Sequence, residues 1–183
     1  GLTLMLVLSA GSTSEPATTP STGRADAAPV VDEAPYRCEL VPEKGVRAIS
    51  GLDMPLEEFT WGDLDSRGGC SLRNEYSRFS LNWSDSGGEE ALERTQANFA
   101  SAQLSELPAD LGKGLIAFTG GAPRSKPYVA FVLFRCGEKK PWIGASLSQV
   151  AKERNVREDL TSLLRIARDR YGELRTCTPE GIP

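Results

Sequence analysis

The 183-residue chain contains no histidine. That one absence excludes a Ser-His-Asp triad, a Cys-His dyad, histidine-based zinc or iron sites and a histidine pH switch. No Cys-x-x-Cys pair is present either, so the four cysteines lack the spacing of a redox or zinc motif. An excess of basic charge is also missing: 21 Lys and Arg stand against 25 Asp and Glu, which argues against nucleic acid as a partner. No apolar run approaches the roughly 20 residues that cross a bilayer. What is there suffices for one folded domain, because 39% of the residues are hydrophobic and the length suits a single core.

The run LTLMLVL at residues 2–8 is followed by the small residues Ser9, Ala10 and Gly11. A short apolar stretch closing on small residues reads as the remnant of a signal peptide over residues 1–11. The order Leu8-Ser9-Ala10 resembles a bacterial lipobox, with Gly11 where the lipid-bearing cysteine would stand. Residues 12–35 hold seven Ser or Thr, five Ala and four Pro, with no aromatic, Leu, Ile or Met. Such a segment gains too little from burial to offset its chain entropy, so it reads as a disordered tether. It also carries four acids and one arginine, leaving residues 36–183 nearly neutral as a single domain.

Cys38, Cys70, Cys136 and Cys177 all fall in that domain. In an exported chain an even number of spaced cysteines reads as two disulfides, with three connectivities to choose from. A turn at Lys139 and Lys140 sends the next strand away from Cys136, and a helix following it returns toward the same end, which brings Cys177 beside Cys136. Cys38 and Cys70 are then left to pair. Each bridge is expected to contribute about 2–4 kcal/mol by restricting the unfolded chain.

Pro42, Val46, Ile49 and Gly51 mark a short helix within residues 38–52. Residues 53–69 give one short strand and a loop. Residues 70–76 and 78–83 give two strands, the second with Phe79, Leu81 and Trp83 alternating with polar neighbours. Asp85-Ser86 and Glu89-Glu90 open a helix expected to reach about residue 106, with Leu92, Phe99 and Ala102 toward the core. Strands follow at 115–119, at 128–136 (YVAFVLFRC, apolar enough to lie centrally in a sheet) and at 142–147. The clearest element is a helix over 155–175, whose Val156, Leu160, Leu163, Leu164, Ala167, Tyr171 and Leu174 form one stripe. The order predicts an α+β fold with a mostly antiparallel sheet packed by helices.

A cysteine before a short first helix, a second at a strand start, the Leu111-Gly112 step and the closing amphipathic helix resemble small exported lipoproteins of actinobacteria, several of unknown function. The resemblance spans residues 38–177 and is architectural. It implies a fold similar to the Mog1/PsbP type or to extracellular sensor domains of bacterial kinases, and an envelope-facing binding or accessory module. It carries over no catalytic residue, and Gly11 is its main departure.

Without histidine, acid-base chemistry falls to carboxylates: Glu57-Glu58, Asp63-Asp65 and Glu89-Glu90. Two such groups run glycoside hydrolysis when held about 5–10 Å apart across a cleft. Glu89-Glu90 is equally explained by a helix start and Asp63-Asp65 by a turn; a calcium loop at Asp63, Asp65 and Gly68 lacks its closing bidentate acid. Leu111-Gly-Lys-Gly-Leu115 lacks phosphate-loop spacing and leads into a strand. Arg124 and Lys126 in the loop at 120–127, and Arg154, Arg157, Arg165, Arg168 and Arg175 along the last helix, are candidates for anionic headgroups or an acidic partner. On the helix, interleaved acids favour ordinary surface pairs such as Glu153 with Arg157. Trp61, in an irregular acid-rich segment, is the tryptophan expected to be accessible. The sequence thus points to an exported, lipid-anchored or secreted envelope module without catalysis, cofactor or metal. Its ligand would be an envelope protein or a small apolar molecule, with Trp61, Arg124 and Lys126 as binding candidates. The alternative is a histidine-free, carboxylate-dependent cell-wall glycan hydrolase.

Overall fold

The computed structural model describes residues 1, 28–52, 55–118 and 127–182. The leader run, residues 12–27 of the expected tether, and Arg124 and Lys126 lie outside the described residues. A small hairpin, β1 (Tyr36–Arg37) and β2 (Val41–Pro42), leads into α1 (Glu43–Ser50). Next come β3 (Glu57–Gly62), β4 (Arg67–Arg73), β5 (Arg78–Ser84) and α2 (Gly88–Gln96). A 3-10 turn (Ser101–Gln103) precedes β6 (Leu104–Glu106), β7 (Lys113–Phe118), β8 (Tyr128–Leu133), β9 (Arg135–Cys136) and β10 (Trp142–Leu147). The chain closes with α3 (Val156–Arg175) and β11 (Pro179–Glu180), which pairs with β9. Seven strands form one sheet in the order β3-β4-β5-β10-β8-β7-β6, each antiparallel to its neighbours. The fold is α+β with a mostly antiparallel sheet, and two disulfides join Cys38 to Cys70 and Cys136 to Cys177.

Alternation along the strands splits the core into two faces. Phe79, Leu81 and Trp83 of β5, with Ile143, Ala145 and Leu147 of β10, bury one face under α1 and α3. Asn155 caps α3 by accepting from the Glu158 amide, and Leu160, Leu163, Leu164, Ala167 and Tyr171 are buried along its inner stripe. Each fully buried side chain of that size contributes about 1.5–3 kcal/mol. Tyr171 packs edge-on against Phe134. Burial pushes its phenol up to about 12, helped by the charge of Asp85, so it stays neutral at physiological pH. The opposite face is covered only in part: α2 sets Ala91 and Leu92 over Leu115, Phe131 and Leu133. β8 is interior in the sheet and apolar because it has a helix on each side.

The arginines of the last helix are mostly spent on the fold. Arg154, just before α3, makes a two-pronged pair with Asp159 at 2.7 Å, with side chains only 3% and 9% exposed. Arg168 donates to the Asp110 and Leu111 carbonyls, and Arg165 pairs with Asp110 at 2.6 Å, holding that carboxyl below its usual range. Arg170 donates to the Glu39 carbonyl and lies over the Tyr36 ring, while Arg175 pairs with Asp65. The expected Glu153–Arg157 pair is not formed among the described residues; Glu153 sits ahead of the helix in left-handed backbone with φ of 64°.

Three segments depart from the expectations. α2 stops at Gln96 instead of residue 106, because residues 104–106 pair with β7 and satisfy its otherwise open edge. Phe99 is half-buried beside α2, and the side chain of Ala102 lies outside the description. β4 begins at Arg67, since Gly68 and Gly69 serve as strand residues and not as part of a loop. Residues 28–35 are seated on the domain: Val30 packs on the core, Glu33 pairs with Lys44, and Arg154 donates to the Ala28 carbonyl.

Peptide mapping without reduction is expected to recover Cys38 linked to Cys70 and Cys136 linked to Cys177. Asp159→Asn removes the carboxylate that pairs twice with the buried Arg154 guanidinium and is expected to lower unfolding stability by about 3 kcal/mol in denaturant titration. Arg165→Gln, breaking a pair with an exposed Asp110, is expected to cost less than about 1 kcal/mol.

Candidate ligand-binding groove

Strand register lines up one row of residues across the partly covered face: Trp61, Gly69, Asn82, Gly144 and Phe131, one each from β3, β4, β5, β10 and β8. Neighbouring strands lie about 4.8 Å apart, so the row spans about 19 Å. Two glycines flank Asn82 and leave a depression between the aromatic ends. The next row repeats the pattern with Phe59, Ser71, Ser80, Ser146 and Val129. Because α2 ends at Gln96, it walls this floor on one side without roofing it. The result is a groove of about 650 Å³, bounded by Arg94 and Thr95 of α2 and Asn98 just after it, and by Trp61 and Arg67 opposite. That volume falls within the range of small-molecule sites.

The glycine pair of β4 builds the outer wall. A Cβ on Gly69 would fall closer than 3.0 Å to the Trp61 indole, and one on Gly68 would meet the Trp83 ring at 2.6 Å. Alternation puts the two residues on opposite faces, so each glycine makes room for one flat tryptophan. Trp83 is sealed in the core, its Nε1 donating to the Asp63 carbonyl at 2.9 Å. Trp61 leans over Gly69 and is 51% exposed. Among the described residues, neither the Trp61 indole N–H nor the Asn82 side-chain amide has a hydrogen-bond partner.

Among the described residues no carboxylate lines the groove, and its charged members are Arg67 and Arg94. Arg94 is paired with Glu90 on the exposed side of α2. Arg67 lies 5.9 Å from the Trp61 ring centroid and has no acidic partner among the described residues. Trp142 stacks on Phe131 with centroids 5.2 Å apart and donates Nε1 to the Ser86 carbonyl, which fixes the far end of the floor.

The acid pairs considered for catalysis are placed elsewhere. Glu57 and Glu58 point to opposite faces of β3; Glu58 accepts from Arg37 at 2.8 Å. Asp63 accepts from the Asp65 and Ser66 amides in a tight turn, Glu89 pairs with Lys113, and Glu90 pairs with Arg94. Cys38, Glu58 and Cys70 lie close enough to share an ion, but both sulfurs are joined to each other and Glu58 is engaged by Arg37, so the cluster is not a metal centre. Of the binding candidates, Trp61 reaches the groove. Gly69, Asn82, Gly144, Arg67 and Arg94 were not singled out in the sequence; their only trace is the small or polar residue recurring at alternate positions of three strands.

The two disulfides point to an oxidising, extracytoplasmic environment. No helix among the described residues is long and apolar enough to cross a membrane. No protein-family model, curated protein or solved structure matches the chain.

Gly69→Ala is expected to displace the Trp61 indole, raising acrylamide quenching of tryptophan fluorescence while stability falls by less than about 1 kcal/mol. Gly68→Ala presses on Trp83 and on the Trp61 carbonyl, and is expected to cost about 1–3 kcal/mol by overpacking.

Proposed function

We propose that the chain is an exported binding or accessory module of the cell envelope, lipid-anchored at the outer face of the cell membrane or else secreted, that holds its ligand in the groove over β3, β4, β5 and β10 without acting on it chemically. The resemblance to small actinobacterial lipoproteins belongs to the same proposal. One observation carries it: a half-covered sheet face where an accessible tryptophan, an arginine with no acidic partner among the described residues, and an unspent amide converge, with no carboxylate among the described lining residues. Convergent polar groups with unspent hydrogen-bonding capacity are the ordinary signature of a ligand site. A fully apolar ligand suits the groove less well than one carrying polar groups, since it would cover Asn82 and the Trp61 N–H without pairing them.

The glycan-hydrolase alternative requires two acids facing across a cleft. Here the candidate acids are engaged in turns and ion pairs or lie at the edge strand, away from the groove lining.

Native mass spectrometry of the protein purified from its own source is the direct test. The wild-type chain is expected to carry a non-covalent adduct that Trp61→Ala loses and that a surface variant such as Lys44→Ala keeps. An adduct retained equally by all three, or none on the wild type, would remove the groove from the reading.

A further inference from the structure

We propose that the groove binds an acidic saccharide, with a sugar ring lying against Trp61 and its carboxylate or phosphate held by Arg67; this rests on the groove being the ligand site. A pyranose ring has a flat face of C–H groups and a rim of hydroxyls, so it needs an aromatic plate with hydrogen-bonding groups beside it. Trp61 offers that plate, half exposed and laid across Gly69 where no side chain lifts it from the sheet. Its own N–H and the Asn82 amide, two strands away in the same row and meeting it over Gly69, supply donors and an acceptor beside the plate.

The charge comes from Arg67, two residues before Gly69 on β4 and therefore on the same face. A guanidinium without a counter-carboxylate is poised for two-pronged recognition of carboxylate or phosphate oxygens. Among the described residues no acid lines the groove to repel such a group.

Other occupants fit less well. The Trp61-to-Phe131 row runs across five strands, whereas a peptide added as a strand would lie parallel to them along an edge. An apolar ligand leaves Arg67 unpaired. A nucleotide shares the aromatic and anionic contacts and is separated from a saccharide by the experiment.

The full chain is to be titrated calorimetrically with a galacturonic acid trisaccharide, a galactose trisaccharide and AMP, after screening on an array of uronic-acid, sialylated, phosphorylated and neutral glycans. Acidic glycans are expected to bind at least tenfold tighter than their neutral counterparts. Arg67→Gln is expected to erase that preference while leaving neutral binding within about threefold. Trp61→Ala is expected to abolish binding of both, and Trp61→Phe to restore part of it. Both side chains are exposed, and circular dichroism is expected to show the fold unchanged. With no histidine, cysteine or carboxylate among the described lining residues, affinity for the galacturonic acid trisaccharide, whose carboxylates are ionised throughout, is expected to stay flat from about pH 5 to 8. Neutral glycans binding as tightly as acidic ones, a blank array, or binding confined to AMP would overturn the inference. If the array is blank while native protein still carries a Trp61-dependent adduct, the saccharide assignment fails and the groove reading stands.

Discussion

Leu160, Leu163, Leu164, Ala167 and Tyr171 bury the length of α3 against one face of the sheet, with α1 filling in beside it. At about 30 Å the helix is long enough to close most of that face alone. The opposite face then needs only a small cover over β8 and β7, which the nine residues of α2 provide. β4 and β5 keep polar and small residues outward between the aromatic side chains of β3 and β10, and the candidate site is the part of the sheet that the core does not require. The arginines of the last helix reinforce this division by binding the loops around the covered face, which leaves little of that row for an external partner.

Within the open half, shape comes from missing side chains. Gly68 and Gly69 are adjacent on one strand and face opposite ways, so the same dipeptide seats Trp83 in the core and Trp61 on the groove wall. The packing of the core and the shape of the groove wall are thereby tied to neighbouring positions, one intolerant of added volume and the other open to it. Gly144 and the serines of β4, β5 and β10 continue the flat floor, and Asn82 stands alone between two glycines with its amide unspent.

Much of the architecture was legible from local pattern. The apolar alternation of β5, the continuous run of β8, and the helical stripe from Leu160 to Tyr171 are each dictated by burial on a known period, and the disulfide pairing followed from where those elements must end. The helix after Ser86 was read too long because its apolar spacing continues through Phe99; what ends it is the unpaired edge of β7, which lies outside any local window. Gly68-Gly69 read as a turn for the same reason: only when β5 and β3 lie on either side does the lack of a Cβ become room for an indole. The site was least legible. Trp61 was noticed for its company of acids, but Asn82, Gly144 and Arg67 become a site only through cross-strand register, which no single strand encodes.

Cys70 directly follows Gly69, and its partner Cys38 lies in the segment by which the chain reaches the domain. Ahead of that bridge, the Ala28 carbonyl is already gripped by Arg154. A pull on the chain upstream of Ala28 therefore meets a buried ion-paired clamp and is then delivered through a covalent bond into β4, a strand laddered on both sides. Those ladders must yield before the groove deforms, whereas a domain suspended from its first helix would shed that helix first. Under a load applied ahead of Ala28, the place where the chain enters the domain and the strand that shapes the groove share one mechanical fate.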